Sequence, residues 1–386
     1  MLVKYDVGRS FNNEDIMLTS LIIRNYRIFK EIKINKLSRV NLFVGKNNTG
    51  KSCLLEALQI YASKAEPQIL SNIISSRDEK WNTKNDENIF QNSLGYLFNG
   101  YTLPLPSPEG EAITIGPIDD NSKQLIISCK AFQIIQDDEG RKIKKIPDPK
   151  KVNDELVDIQ MALESTMNQK RCYYISLDMS QLANRPYTNT DKQNYNYQIV
   201  KTQHISDEKL SVLWDNINLT DLEKEIISCL QIIDSNISGV ALVNDISASS
   251  KNPIKRIPIV RIEGVKERIP LKTMGDGLTR LFYIILALVN AKDGLLLIDE
   301  FENGLHWTVH PKIWNVIINL SKKLNVQVIA TTHSRDCIKG YYDIWKSNEK
   351  YASFYRLETD PVNGTKTIAY TQDILSDAID SGVEVR

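Results

Sequence analysis

Val44 to Ser52 reads VGKNNTGKS, two glycines, two asparagines and two lysines within nine residues. An apolar run, RVNLFV (39–44), leads into it, and KSCLLEALQIYASKA (51–65) follows with apolar residues at 54, 55, 58 and 61. The first pattern predicts a central strand and the second a helix. Gly45 to Ser52 fits G-x-x-x-x-G-K-[ST] in that strand–loop–helix context. Its glycines let successive N–H groups of Gly45, Asn47, Asn48, Thr49 and Gly50 turn inward and form an anion nest. The helix that follows, beginning with Lys51, Ser52 and Cys53, adds its positive dipole end. Lys51 would neutralise the β and γ oxygens of a bound triphosphate, and the Ser52 hydroxyl would ligate Mg²⁺. The loop leaves the core in order to wrap phosphate.

Four stretches far along the chain complete this chemistry. LLLIDE (295–300) is a buried-type strand that ends in two acids, where an α/β sheet places its site. Asp299 would hold the Mg²⁺ shell, and Glu300 would polarise the attacking water as general base. VIATTHS (328–334) carries His333 at its tip, placed to touch a γ-phosphate. ENGLH (302–306) follows the acids directly and reads as a turn that contacts a partner subunit. TMGDGLTR (273–280) is a second glycine-rich turn opening a helix. One ATP needs only one such cradle, so Gly275, Asp276 and Gly277 would complete the site of another subunit, two chains sandwiching two ATP molecules.

Bulk properties set the outer limits. The 386 residues suit about two lobes. The 48 lysines and arginines balance 48 acids, so no overall field draws the chain to nucleic acid or an anionic membrane. No apolar run approaches a membrane span, and the N-terminus lacks a signal-peptide core. The cysteines at 53, 129, 172, 229 and 337 form no C-x-x-C pair. They read as core filler in a reducing cytosol, so a cytoplasmic location is expected.

The coarse pattern divides the chain into an arm (1–17), an N-terminal ATPase segment (18–65), a β lobe with helical insertion (66–270) and a C-terminal ATPase segment (271–386). Strands are expected at 18–26, 29–35 and 39–44. Residues 75–103 read as a polar surface insert. Strands at 112–118, 123–135 and 142–146, with turn signals DDNS and DDEG between them, predict a small antiparallel lobe. A helix is expected at 153–169, a strand at 172–179 and a loop at 182–198. TDLEKEIISCLQII opens with a Thr220–Glu223 capping box and predicts a helix. Strands SGVALVN, IPIVRI and RIPLK lead into an α/β alternation from 278 onward. The expected fold class is α/β, a mainly parallel central sheet with an antiparallel β lobe and a helical insert.

Together LIIRNYRIFKE, GKNNTGKS, MGDGLTRLFYIILALVNAKDGLLLIDEFENGLH and ATTHSRDCI resemble ABC-type ATPases of the SMC and RecF-like branch. Within that branch they look like the OLD (overcoming-lysogenization-defect) family and its stand-alone AAA15-type relatives. The resemblance covers residues 20–65 and 255–340, and the middle only in outline. It implies an ABC-ATPase head-like P-loop fold, with Walker A at Gly45–Ser52, Walker B at Asp299 and Glu300, a D-loop at 302–306, a switch histidine at His333 and a signature at Gly275–Gly277. It also implies that Arg27, in the NYRIF turn, reaches nucleotide phosphates. The signature lacks the serine of L-S-G-G-Q, and no Q-loop glutamine is placed; Gln91 and Gln124 are weak candidates.

Full-length OLD proteins carry a Toprim nuclease, whose chemistry needs clustered carboxylates. Only 53 residues follow His333 and no D-x-D pair occurs, so the nuclease is expected on a separate effector protein, plausibly in antiphage defence. A homodimeric ATP-driven switch of such an effector is the leading expectation. A repair or recombination ATPase that clamps duplex DNA is the alternative, resting on the basic run GRKIKKIPDPKK (140–151). A transporter nucleotide-binding subunit is a remote third, since it needs a membrane partner, a Q-loop and L-S-G-G-Q.

Overall fold

The computed structural model describes residues 17–79, 93–104, 106, 111–136, 142–145, 159–177, 194–202, 205, 207–245, 256–360, 364–382 and 385. The chain enters through Leu18, whose N–H donates to the Gln327 side chain at 3.0 Å. Strands β1 (Leu21–Tyr26) and β2 (Phe29–Ile34) form a hairpin, and β3 (Val40–Val44) dives into the interior with every residue buried. The phosphate-loop sequence follows, then α1 (Lys51–Ala62) and α2 (Pro67–Ser75). The rest of the expected arm, residues 1–16, lies outside the described residues, as does Gln91.

β1 does not stop at its hairpin. It pairs antiparallel with β4 (Ile113–Gly116), which pairs with β5 (Leu125–Gln136). β6 (Lys142–Lys145), β7 (Ile159–Met167) and β8 (Lys170–Ser176) complete one sheet, in the order β2-β1-β4-β5-β7-β8 with β6 beside β5. A border at 65/66 therefore crosses this sheet. The helix expected over 153–169 is instead β7 across its described part, paired with β5 from Gln133↔Ile159 to Leu125↔Met167. Ile159, Met161, Leu163, Ser165 and Met167 alternate at period two, and two long partner strands select that reading over the helical one. Of the basic run 140–151, only the strand 142–145 is described.

The described end of the segment read as a polar insert, 93–103, is also corrected; residues 80–92 lie outside the described residues. Leu94, Leu97 and Phe98 are buried, and the Asn99 N–H donates to the Asn25 carbonyl at 3.0 Å. This stretch braces the β1–β2 turn, because its few apolar residues are the ones that face inward. The expected loop at 182–198 likewise ends in a strand, β9 (Tyr197–Val200).

Beyond it lie α3 (Asp207–Asp215) and α4 (Asp221–Leu230), then β10 (Ile237–Asn244), β11 (Arg256–Ile262) and the two-residue β12 (Ile269–Pro270). The capping signal at α4 is realised: Thr220 Oγ1 accepts from the Leu222 N–H at 3.2 Å, and Glu223 accepts from the Leu219 N–H at 2.9 Å. The α/β part then runs through α5 (Asp276–Asn290), β13 (Leu295–Ile298), α6 (His310–Lys323), β14 (Gln327–Thr332), α7 (Arg335–Trp345), β15 (Ala352–Asp360), β16 (Gly364–Tyr370) and α8 (Gln372–Asp380).

These strands form the second large sheet, ordered β16-β15-β3-β14-β13-β9, parallel except at the β16 edge. Its two faces serve different cores. Val40, Leu42, Val44, Leu296 and Ile298 face the helices α5–α7, whereas Phe43, Leu295, Leu297 and Ile329 face α1 and the antiparallel sheet. Burial on both faces is why these strands read as continuous apolar runs. The parallel register aligns the strand ends: Val44 lies opposite Thr332, Ile298 opposite Ala330 and Val200. Among the described residues no helix is long and apolar enough to cross a membrane.

Beneath those ends Phe301 stacks on Trp314 at 3.9 Å, and His310 packs edge-on to Phe301. His310 is 2% exposed, and neither ring nitrogen makes a well-directed hydrogen bond, although the backbones of Asp336 and Leu305 lie close. Burial lowers its pKa. The unfolded chain therefore binds more protons than the folded one just below the ordinary histidine pKa, so stability falls as pH drops through about 6.5. We expect the thermal midpoint of wild type to decline from pH 7.5 to 5.5, and His310→Phe to flatten that decline. Equal slopes for the two proteins would dismiss His310 as the cause.

Candidate nucleotide-hydrolysis site

The 45–52 turn is shaped by backbone that other residues cannot supply. Gly45 would place a Cβ 2.6 Å from the Leu357 carbonyl oxygen and from Thr49 Oγ1. Gly50, at φ 96°, would drive one into the Phe29 ring at 2.7 Å, and Asn48 is also left-handed at φ 64°. Thr49 pins the turn by donating to the Lys46 carbonyl at 2.9 Å. Asn47 and Asn48 are exposed at its outer rim, whereas Thr49 and Gly50 are buried.

Lys51 lies curled over this turn, its Nζ donating to the carbonyls of Gly45 at 2.6 Å and Lys46 at 2.8 Å. Burial lowers its pKa, and Asp299, Glu300 and Glu302 act in the opposite sense. Ser52 is exposed at the helix start, with Oγ 3.5 Å from Asp299 Oδ2. Cys53 points the other way: its thiol is buried, burial raises its pKa, and Arg77 lies 3.6 Å from Sγ. Only its backbone can face the turn.

Register delivers the carboxylates. β13 and β14 lie between β9 and β3, so Asp299, Glu300 and His333 emerge at the same end as the turn. Thr331 ties them together: its hydroxyl donates to Asp299 Oδ1 at 2.8 Å and accepts from the Glu300 N–H at 3.0 Å. Glu300 sits at φ 46°, an uncommon conformation for a residue other than glycine that surrounding structure must impose. Arg280 helps impose it, one guanidinium nitrogen donating to the Asp299 carbonyl at 2.9 Å and the Glu300 carbonyl at 3.3 Å. His333 Nδ1 stands 3.2 Å from Glu302 Oε1 and 3.8 Å from Glu300 Oε1, and its N–H donates to Glu302 at 2.9 Å.

Two hard oxygen donors, a hydroxyl and a carboxylate, thus converge beside a phosphate-shaped turn. Among the described residues no group of three or more His, Cys, Asp or Glu has an arrangement that could hold a metal ion by itself. A site with few protein ligands fits magnesium, which keeps several waters and takes the rest from phosphate.

The other sequence candidates fall elsewhere. Gly275, at φ 104°, and Asp276 are exposed at the start of α5, and Gly277 abuts the Gly304 carbonyl, where a Cβ would stand 3.1 Å away. The second cradle thus leans on the 302–306 turn. Arg27 is buried and engaged: it pairs with Glu79 at 2.5 Å and Glu56 at 3.0 Å. Its guanidinium is held by Glu56 of α1 and Glu79 beyond α2, and no described hydrogen bond joins it to residues 45–52. Gln124 is likewise committed, donating to the Pro117 carbonyl at 2.8 Å.

Sequence reading missed three residues of the site: Thr331, Arg280 and the positioning role of Glu302. Thr331 is one of two consecutive threonines in a strand otherwise apolar, a signal for a polar tip. Arg280, four residues into an apolar helix, had no signal beyond its isolation.

A model of the family described as "AAA ATPase domain" matches residues 17–338. An ATP/GTP phosphatase of Helicobacter pylori is 26% identical over 347 residues, which are 84% of this chain and 87% of that protein. An uncharacterized protein of Methanocaldococcus jannaschii is 40% identical over 50 residues, 13% of this chain and 23% of that one. Among solved structures, an SMC head bound to the C-terminal winged-helix domain of ScpA aligns at TM-score 0.48 and 12% identity, covering 92% of this chain and 98% of that one. The SMC head domain of Thermotoga maritima aligns at TM-score 0.42 and 12% identity, with 92% and 99% covered.

Proposed function

The chain belongs to the AAA ATPase domain family, and from that premise we propose that it hydrolyses Mg-ATP to ADP and phosphate and uses the cycle as a dimerising switch for a separate effector protein. The observation that carries the reading is the convergence of Ser52, Asp299, Glu300 and His333 on one end of the parallel sheet beside the 45–52 turn. Amides of the turn and Lys51 bind the β and γ phosphates, with Lys51 exchanging its two loop carbonyls for phosphate oxygens. Ser52 and Asp299 hold the magnesium ion, which offsets phosphate charge when bound. Glu300 accepts the proton of the attacking water, or orients that water, from a backbone that Thr331 and Arg280 keep in place. His333, with Glu302 behind it, senses the γ-phosphate from the neighbouring strand tip.

The switch reading rests on the second cradle. Gly275–Gly277 opens α5 against the 302–306 turn, and no described hydrogen bond joins it to residues 45–52. Gly275 and Asp276 are exposed there, the placement a cap for the nucleotide of another copy requires. An effector in trans, a nuclease in antiphage defence, follows from the OLD-type resemblance by analogy of fold and motif. The relative's printed name, ATP/GTP phosphatase, supports triphosphate hydrolysis and leaves the base to measurement.

Since each site needs the other copy's cradle, turnover per chain should rise with protein concentration and saturate once dimers form. Sedimentation with a non-hydrolysable ATP analogue should show the dimer at the same concentration. A chain that remains monomeric at saturating nucleotide, with turnover independent of concentration, defeats the switch while leaving hydrolysis intact.

A further inference from the structure

Among the described residues the parallel sheet ends at β9, which pairs with β13 on one side only. The Leu295 N–H donates to the Asn196 carbonyl at 3.0 Å, and the Asp299 N–H to the Val200 carbonyl at 2.9 Å. Residues that bond one neighbour alternate along a parallel strand. Asn196, Gln198 and Val200 therefore serve β13, and Tyr197, Ile199 and Lys201 turn their main-chain groups outward. The Lys201 carbonyl is taken by Arg280 at 2.5 Å. Among the described residues no hydrogen bond engages the outward main-chain groups of Tyr197 or Ile199. Both residues are partly exposed, and they line a cleft of about 470 Å³. Ile69 walls this cleft on one face of the sheet, Ile205 and Tyr283 on the other. The Lys201 side chain stands exposed at the end of β9 and also lines it. Among the described residues no carboxylate does so.

We propose that this edge takes one further strand, an extended segment of a partner protein that is apolar along the four-residue length of β9 and acidic where it passes Lys201. Main-chain donors and acceptors on an open edge are a template for another chain, and an added strand satisfies them in pairs. Apolar walls on both faces select a continuous apolar run rather than an alternating one. The cationic end without a carboxylate selects the acid. Such a segment gives the effector of the switch a place to dock. That link rests on the switch reading; the free edge does not.

The test is fluorescence anisotropy of the labelled octapeptide acetyl-DDVIVIDD-amide with the full chain and no nucleotide. We expect one site per chain. Methylating one alternate set of the four central amide nitrogens should weaken binding about tenfold or more, and methylating the other set should leave it unchanged, because only one set faces β9. Lys201→Glu should weaken the acidic peptide about tenfold and bind acetyl-KKVIVIKK-amide more tightly than wild type does. Lys201 is exposed, and an unchanged thermal midpoint verifies the fold of the variant. Absence of binding at millimolar peptide, equal losses from both methylated sets, or indifference to the charge exchange would each overturn the proposal. Peptide binding that weakens as protein concentration rises would give the edge to a second copy instead, and overturn it too. Because no turnover is measured, failure of the hydrolysis reading leaves this result standing, and the reverse.

Discussion

Glu300→Gln should bind Mg-ATP within a few-fold of wild type and hydrolyse it about 10²–10⁴ times more slowly, the range expected for losing a general base. The substitution is nearly isosteric, so the contacts that hold residue 300 persist. Its N–H still donates to Thr331 and its carbonyl still accepts from Arg280. Only proton affinity at the carboxylate is lost. His333, 3.8 Å from that carboxylate, keeps its nearer partner Glu302 and holds its place. Single-turnover hydrolysis separates this from a binding defect: the burst should vanish while a filter-bound nucleotide complex remains. Turnover within threefold of wild type would move the base elsewhere, with Glu302 next in line.

Lys51→Ala acts on the earlier step. The ammonium makes two short bonds to loop carbonyls, and in the nucleotide complex those donors turn to phosphate oxygens. Each charge-assisted bond contributes about 1.5–3 kcal/mol, so losing two weakens ATP binding by about 10²–10⁴-fold. The fold should survive, because Lys46 is exposed and water can replace Nζ at its carbonyl. Equilibrium dialysis with labelled ATP, beside a circular dichroism melt, reads both quantities. Tight nucleotide retention in the alanine variant would show that the turn does not enclose the triphosphate. The two variants together distinguish binding from chemistry: Lys51→Ala should lose affinity, and Glu300→Gln should lose rate alone.

Much of this was readable in the sequence because its signals are local. The turn needs glycine at 45 and 50, where any side chain would strike Leu357 or Phe29, and the motif marks those two positions. The strand–acid pattern at 295–300 and the strand–histidine pattern at 328–333 mark the two other tips. The β7 segment went astray because its short apolar pattern fits either period, and the choice was made by β5 and β8, which are distant in the chain or not yet formed. β9 was lost for a similar reason. Its four residues follow a polar stretch, and it is a strand only because β13 offers an open edge. With β9 in place, a third strand tip lies beside the acids: the Asp299 N–H donates to the Val200 carbonyl at 2.9 Å.

Arg27 marks the sharpest boundary between the two kinds of information. Its turn, NYRIF, is legible as a motif, but the direction of its guanidinium depends on Glu56 from α1 and Glu79 from beyond α2. By itself the sequence determined the glycine turn at 45–52, the acids and histidine at strand ends, and the α/β class, since each depends on residues adjacent in the chain. The tertiary structure alone decided which strands share a sheet and that Thr331 and Arg280 hold Glu300 in a left-handed backbone. Those features depend on residues tens to hundreds of positions apart, and their pairing energy exists only once the chain has closed around them.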